Sequence, residues 1–291
     1  MKKFLIRILL FVTLFLTSYV ILYIALDVYY NNNFFAKNSI FIWGDSQAYQ
    51  DIDLKLLSDL TDKNVYTSAK HGAGIYDFLV FAQKVKPAST VIISYPKLAF
   101  IRPKKRDYNR TGLSFIALKK LYENNYSFNE IKEIFYNNLK PQQNIFKETK
   151  LHKYKENIKI KGLTSKIEKT LKTSISFIDD KMNVYLEGVT ILKDKNCKII
   201  IVEFPVHKEL RKVELKYLTI ENKIDRNVLK VVDKINANNI NYIRLSQEDQ
   251  IFNDATHLNE NGARNLTYQL NNIISEMNNR KNVFSRFVFD Y

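Results

Sequence analysis

Short apolar runs alternate with segments of helical periodicity between residues 39 and 277, and this alternation restricts the fold more than any other feature of the chain. Between the runs, apolar residues recur every three or four positions, as on the buried face of a helix. Strands that alternate with helices predict a parallel sheet covered by helices on both faces. We therefore expect a three-layer α/β/α domain. Its predicted strands are residues 39–43, 65–67, 90–94, 198–203 and 239–245.

Composition excludes several classes of protein without identifying one. The 291 residues are 46% hydrophobic and 26% charged, which excludes a disordered or low-complexity chain. Because Cys197 is the single cysteine, the chain is not a disulfide scaffold, and its place beside the apolar run 198–203 predicts a buried small residue rather than a nucleophile. No spacing of His, Cys, Asp or Glu indicates a metal site, and we expect no cofactor.

The segment 8–26 contains no charged residue. As a helix it measures about 28 Å, close to the thickness of a hydrocarbon core. Lys2, Lys3 and Arg7 precede it and Asp27 follows it, so the positive-inside bias keeps the N-terminus in the cytoplasm. A cleaved signal peptide ranks second, because the apolar run is long and no small-x-small site follows it. We expect a single-pass membrane protein whose domain lies on the extracytoplasmic side.

Three parts follow from these patterns: a cytoplasmic tip and transmembrane anchor at 1–30, a tether at 31–38, and a domain at 39–291. A basic, mainly helical insertion interrupts the domain at about 102–173. From Arg102 to Lys172 it has 18 Lys and Arg against 7 Asp and Glu, and so carries most of the net charge of +15. Outside the cytoplasm, such a segment favours an anionic envelope polymer or lipid headgroups over nucleic acid. A solvated decoration without a role fits it equally well.

Gly44-Asp45-Ser46 stands where the first predicted strand ends and a helix begins. A serine at such a junction has its hydroxyl at the top of the sheet, and the backbone N–H groups there point outward. This arrangement suits a nucleophile whose attack generates an oxyanion. The alternative is an ordinary helix-capping turn, which the tripeptide alone does not exclude.

Asp254 and His257 lie three residues apart, between the fifth predicted strand and the last helix. A carboxylate in that position can orient the imidazole through Nδ1–H and leave Nε2 as a general base. Helix capping by Asp254 beside a surface histidine is the alternative. It loses ground because Ser46 falls on the same edge of the predicted sheet, where ligands of parallel α/β proteins bind.

A glycine-rich turn, Gly72-Ala73-Gly74, follows the second predicted strand. Glycine allows a backbone N–H to approach a reacting oxygen closely, and Gly74 is the expected donor. His71, directly before this turn, competes with His257 for the role of base. No carboxylate stands near His71 in the sequence to orient it, so His257 is favoured.

Together, Gly44-Asp45-Ser46, the glycine turn and Asp254-x-x-His257 resemble the SGNH (GDSL-like) hydrolase superfamily. The run 252–263 is especially similar to membrane-anchored members that modify envelope polymers, including relatives of the teichoic-acid D-alanylation protein and of polysaccharide O-acetyltransferases. The resemblance covers about 39–100 and 176–275 and omits the insertion. It implies a flavodoxin-like SGNH fold.

By this resemblance Ser46 is the nucleophile, His257 the base and later the acid, and Asp254 the residue that orients His257. The oxyanion hole is then formed by the backbone N–H groups of Ser46 and Gly74. One feature departs from the superfamily: its Gly-x-Asn-Asp after the third strand is replaced by Ser94-Tyr95-Pro96-Lys97. Either Lys97 or a side chain of the insertion supplies the missing donor, or the protein prefers acyl transfer to hydrolysis, or it is slow.

Two functions remain open at this point. The first is a membrane-anchored serine esterase or O-acyltransferase that acts on acylated cell-envelope glycans through an acyl-serine intermediate. A membrane-embedded partner could deliver the acyl group, and no nucleic-acid partner is expected. The second is a catalytically silent binding or scaffold protein of an envelope polysaccharide assembly complex, which the missing Asn favours. The residues that contact the substrate are not indicated by the sequence.

Overall fold

The computed structural model describes residues 2–33, 39–95, 99–100, 160–173, 179–217, 240–244, 251–279 and 287–288. The chain divides into two units, Met1–Lys37 and Asn38–Tyr291. The first contains helix α1 (Lys2–Asn33), whose described large apolar side chains are exposed. The expected transmembrane helix is not found: in the ranges given above, no helix is both long and apolar enough to cross a membrane.

The second unit alternates strands and helices as the sequence predicts. Its described elements in chain order are β1 (Ile40–Trp43), α2 (Ser46–Gln50), α3 (Leu54–Thr61), β2 (Val65–Thr67), α4 (Ile75–Lys84), β3 (Thr90–Ser94), α5 (Ile160–Thr173), α6 (Asp179–Asp194), β4 (Lys198–Glu203), α7 (Lys208–Tyr217), β5 (Ile240–Arg244), α8 (Glu260–Asn279) and β6 (Phe287–Val288). All five predicted strands are present within one residue at each end. The sixth, β6, was not expected from the sequence.

All neighbouring strands of the sheet are parallel, in the order β2-β1-β3-β4-β5-β6. The predicted parallel α/β fold is therefore confirmed, and the first five strands follow the flavodoxin-like order. Ile40 of β1 pairs with Val65 of β2 on one side and with Thr90 of β3 on the other. The strand order reverses direction between β1 and β3, so the carboxyl ends of these two strands form the crevice where such sheets bind ligands.

Side chains of β1 alternate between two cores, which places helices on both faces of the sheet. Ile40 and Ile42 pack in a cluster with residues of α3 and α8, among them Leu57 and Leu266. On the opposite face, the Trp43 ring lies 4.7 Å from Phe78 of α4 and 6.5 Å from Tyr185 of α6. Each fully buried side chain of this size stabilises the fold by about 1.5–3 kcal/mol. The strand ends are thus held between two packed layers.

Part of the sequence prediction falls on residues outside the described ranges. This is the case for the predicted helix at 228–235 and for the insertion up to residue 159, of which α5 forms the last part. Cys197 is buried, as predicted. Burial also raises the pKa of its thiol, which is the opposite of what a nucleophilic cysteine needs.

Candidate active site

Ser46 is the first residue of α2 and follows a sharp turn at the carboxyl end of β1. Asp45 caps the helix, because its Oδ1 accepts a hydrogen bond from the Gln47 N–H at 3.1 Å. Gly44 is required for close packing: a Cβ there would lie 2.4 Å from the Ala48 Cβ and 2.5 Å from the Ser94 Cβ. The local sequence therefore places the Ser46 hydroxyl at the crevice between β1 and β3.

The loop before α8 is organised by one carboxylate. Asp254 Oδ1 accepts hydrogen bonds from the Thr256 N–H at 2.7 Å, the Thr256 hydroxyl at 2.9 Å and the His257 N–H at 2.8 Å. The loop closes on itself, since the Asn253 N–H donates to the His257 carbonyl at 2.8 Å. Four polar groups thus fix the position of the imidazole relative to Asp254.

Ser46, His257 and Asp254 form a chain of hydrogen bonds with His257 in the middle. His257 Nδ1 is 2.8 Å from Asp254 Oδ2, and His257 Nε2 is 2.9 Å from Ser46 Oγ. A carboxylate partner selects the tautomer with the proton on Nδ1, because only a donor can bond to it. Nε2 is then an acceptor and the Ser46 hydroxyl donates to it. The arrangement can remove a proton from Ser46 as its oxygen attacks a carbonyl carbon.

Asp254 is held in its ionised form. Burial acts to raise its pKa, but the hydrogen bond from His257, the charge of His257 and the hydrogen bonds from Thr256 outweigh burial and lower the pKa to about 2. The carboxylate therefore stays charged throughout the range in which a histidine acts as a base. Loss of activity in mild acid would then not be due to protonation of Asp254.

Stability is expected to fall between about pH 4 and about pH 2, in part through Asp254. Its folded-state pKa of about 2 lies below the ordinary value of 3.8, so its ionised form stabilises the fold above pH 3.8 and this contribution is lost as the pH falls through the folded-state pKa. In Asp254→Asn this part of the acid sensitivity should disappear, a difference of about 1–2 kcal/mol in the free energy of unfolding. Urea denaturation of both proteins across that range measures it. Parallel pH curves would contradict the prediction.

A second carboxyl, Asp51, lies beneath the site at the end of α2 and is fully buried. Its Oδ1 accepts a hydrogen bond from the Leu258 N–H at 3.0 Å, while its Oδ2 has no hydrogen-bond partner within the described residues. Burial raises the pKa of Asp51 well above its ordinary value, against the effect of the Leu258 N–H, and the charges of Asp254 and Asp45 raise it further. The environment therefore favours the neutral acid.

Asp51→Asn is expected to stabilise the protein increasingly as the pH rises above 3.8, the ordinary pKa of the carboxyl group. A raised folded-state pKa means that the folded protein binds more protons than the unfolded chain, so wild-type stability declines with pH over this range. Asparagine keeps an acceptor for Leu258 but does not ionise. The gain in the free energy of unfolding should grow as the pH rises through this range, and urea denaturation of the two proteins measures it. A gain that does not grow with pH would contradict this account.

Gly74, the expected oxyanion donor, is the N-cap residue of α4. In this structure its N–H donates to Asp77 Oδ2 at 3.3 Å, and that carboxylate also pairs with Lys70 Nζ at 2.9 Å. The N–H is therefore taken up by the carboxylate of Asp77, in the first turn of the same helix. To bind an oxyanion, Gly74 would have to exchange this long bond for one to the substrate. Lys97, the expected replacement for the missing Asn, lies outside the described residues.

His71, the competing base, is placed differently from His257. Its Nε2 lies 3.3 Å from Gln50 Nε2, and its ring meets the Tyr49 ring edge-on at 5.3 Å. The partner of the Ser46 hydroxyl is His257. Of the two histidines, His257 is the one described in contact with Ser46.

Three residues that support the site were not identified from the sequence: Gln47, Asp51 and Thr256. Gln47 Nε2 donates to the carbonyls of Thr256 at 2.9 Å and Pro205 at 3.2 Å. Its position directly after Ser46 was the one available signal, because its partners are more than 150 residues away in the chain. Within the described ranges, no group of three or more His, Cys, Asp or Glu is arranged to hold a metal.

Comparison with known proteins gives structural likeness alone. No protein-family model and no curated protein matches the chain. Similar solved structures include an acetyl xylan esterase (Est2A) from the rumen bacterium Butyrivibrio proteoclasticus, with a TM-score of 0.41 and 10% identity over 84% of this chain. They also include a family two carbohydrate esterase from Cellvibrio japonicus, with a TM-score of 0.39 and 10% identity over 83%. The chain spans 65% and 61% of their respective lengths.

Proposed function

We propose that the chain is a serine esterase or O-acyltransferase that works through an acyl-Ser46 intermediate. The observation that carries the proposal is the imidazole of His257, which bridges the Ser46 hydroxyl at 2.9 Å and the Asp254 carboxylate at 2.8 Å. A serine with a hydrogen-bonded base, itself oriented by a carboxylate, is the arrangement that activates a hydroxyl as a nucleophile. Nucleophilic acyl transfer accounts directly for these two contacts.

The proposed reaction has two steps. In the first, Ser46 Oγ attacks the ester carbonyl while His257 Nε2 takes its proton. The tetrahedral intermediate then collapses, the alkoxide leaves with the proton from His257, and the acyl group remains on Ser46. In the second, His257 takes a proton from water or from a sugar hydroxyl, whose oxygen attacks the acyl carbon. The second tetrahedral intermediate collapses, and the Ser46 oxygen leaves with the proton from His257. Backbone N–H groups, of which Ser46 and Gly74 are the proposed pair, bind the oxyanion.

The acyl intermediate can be tested directly with an activated aryl acetate. If deacylation is the slower step, the full chain in detergent should release a burst of one equivalent of phenol. Peptide mass spectrometry after an acid quench should then find the acetyl group on the peptide that contains Ser46. Adding a sugar acceptor separates the two activities, because a transferase forms the sugar ester and a hydrolase forms acetate. Turnover with no acyl group on Ser46 would contradict the mechanism.

A catalytically silent binding or scaffold protein is the second candidate, and the contact of Gly74 favours it. An oxyanion hole needs donors directed at the substrate, whereas the Gly74 N–H donates to Asp77. If this protein is silent, the aryl acetate gives no burst on a folded wild type, and Ser46→Ala behaves like wild type. The protein should then bind an envelope polysaccharide and leave it chemically unchanged.

Acylated envelope glycans are the proposed substrates, and an anionic polymer is the proposed partner of the basic insertion. Both proposals rest on the sequence. Salt screens the attraction between the basic insertion and an anionic polymer. Activity on an anionic acylated glycan should therefore fall steeply between low and physiological salt. Hydrolysis of a small neutral ester should barely change. Equal salt dependence for the two substrates would contradict the proposal that the insertion binds an anionic polymer.

Membrane attachment through residues 8–26, with the domain on the extracytoplasmic side, is also proposed from the sequence alone. Its support is the absence of charge in this segment and the Lys and Arg residues before it. The full chain should then stay in the membrane pellet after alkaline carbonate extraction. A protease added to intact spheroplasts should digest the domain. Recovery of the full chain in the supernatant would contradict attachment.

A further inference from the structure

Gln47 of α2 and Asp51, the C-cap residue of that helix, bind the backbone on both sides of His257. On the N-terminal side, Gln47 Nε2 donates to the Thr256 carbonyl at 2.9 Å. On the C-terminal side, Asp51 Oδ1 accepts from the Leu258 N–H at 3.0 Å. Gln47 and Asp51 are four residues apart and therefore lie on one side of the helical turn. The same turn begins with Ser46.

The described backbone hydrogen bonds of the loop join it to itself and to the segment after β4. The Asn253 N–H and Asp254 N–H donate to the His257 carbonyl, and the His257 N–H donates to Asp254, so these bonds fix the loop's internal shape. The His207 N–H donates to the Ala255 carbonyl at 3.0 Å and joins the loop to the segment after β4. Gln47 and Asp51 supply the described hydrogen bonds that join the backbone beside His257 to the segment of Ser46. Ala48 and Ile52 also pack in one apolar cluster with Leu258.

We propose that Gln47 and Asp51 are positioning residues, a clamp that keeps His257 Nε2 within hydrogen-bonding distance of Ser46. The inference rests on the proposed function of Ser46 as a nucleophile, and it extends the site beyond its three reacting residues. A displacement of about 1 Å between a base and its nucleophile can lower the rate about 100-fold. The clamp positions the base and does not contact the substrate. Its loss should therefore lower kcat and leave KM nearly unchanged.

The first test compares two glutamines of the same helix. Gln47→Ala removes the bonds to Thr256 and Pro205, and should lower kcat for an aryl ester by about 10-fold to 100-fold. Gln50→Ala is the matched control, because Gln50 has its contact with His71 on the exposed side of the turn, and it should stay within about threefold of wild type. In a His257→Ala background, Gln47→Ala should have no further effect, since a positioning residue acts through its partner. Equal losses in both glutamine variants would overturn the clamp.

The second test separates the hydrogen bond that Asp51 accepts from the ability of its carboxyl group to ionise. Asp51→Asn keeps the acceptor for the Leu258 N–H and should retain kcat within about threefold, whereas Asp51→Ala should lose about 10-fold or more. A merely structural role predicts instead that activity follows stability in both variants. Similar loss of kcat in Asp51→Asn and Asp51→Ala would show that the hydrogen bond is not what matters.

Amide hydrogen exchange tests the clamp without relying on enzyme activity. Gln47→Ala and Asp51→Ala should both speed amide exchange about 10-fold or more in the peptide that contains residues 253–258, with the strands unaffected. Gln50→Ala should leave it unchanged. Exchange that is unaltered in both clamp variants overturns the clamp even if Ser46 is reactive. If instead exchange responds but wild type never acylates, the clamp stands as a structural device and the proposed function fails.

Discussion

Ser46→Ala is expected to lower kcat for an aryl ester by about four to six powers of ten, because no nucleophile then remains beside His257 Nε2. Residual turnover would come from oxyanion binding and from water. Wild type and variant should unfold at similar urea concentrations, because Ser46 is only half-buried and the substitution removes one hydrogen bond, the one to His257. Steady-state hydrolysis of the aryl ester, with the variant assayed at high protein concentration, measures the difference.

The control for this prediction is His257→Ala, alone and combined with Ser46→Ala. Residues that act as one unit are strongly non-additive, so the double variant should be about as slow as either single variant. Losses that multiply would mean that the two residues act separately. A Ser46→Ala protein that retains more than about a tenth of wild-type activity would exclude Ser46 as the nucleophile.

Asp254→Asn is expected to lower kcat by about four powers of ten while leaving the loop folded. The asparagine oxygen can still accept from the N–H groups of Thr256 and His257, as Asp254 Oδ1 does now. Its NH₂ group would face His257 Nδ1 and donate to it. That bond favours the tautomer with the proton on Nε2, which cannot accept the Ser46 proton.

Two measurements separate this effect from unfolding. The kcat of Asp254→Asn in the aryl ester assay gives the loss, and hydrogen exchange over residues 253–258 gives the state of the loop. A large loss with unchanged exchange is the expected result. Only a severalfold loss would mean that Asp254 does not select the tautomer of His257, and that its role is confined to holding the loop.

The sheet, and the edge at which Ser46 and His257 lie, were predictable because they depend on local patterns. Continuous apolar runs predict buried parallel strands, and the carboxyl ends of parallel strands share one edge. Ser46 and His257 could therefore be assigned to the same edge although 211 residues separate them. The short strand β6 has two residues, Phe287 and Val288, which is too few to show any periodicity.

The supporting contacts could not be predicted, because each depends on three-dimensional placement. Gln47 lies in a short helix and Asp51 caps its end, and the partners of both residues are about 200 residues away in the chain. The N–H of Gly74 was expected at the oxyanion, and its bond to Asp77 follows from α4 beginning at the next residue. A capping interaction of this kind competes with a catalytic role at the same backbone group, and sequence alone does not decide between them.

The central claim is that the Ser46 hydroxyl is activated by His257, and a fluorophosphonate probe tests it most directly. The full chain in detergent should form a stoichiometric adduct, located on Ser46 by peptide mass spectrometry. The adduct should be absent from Ser46→Ala and should form at least about 1,000-fold more slowly in His257→Ala. A folded wild-type protein that forms no adduct, or one that labels Ser46 equally fast without His257, would contradict the account.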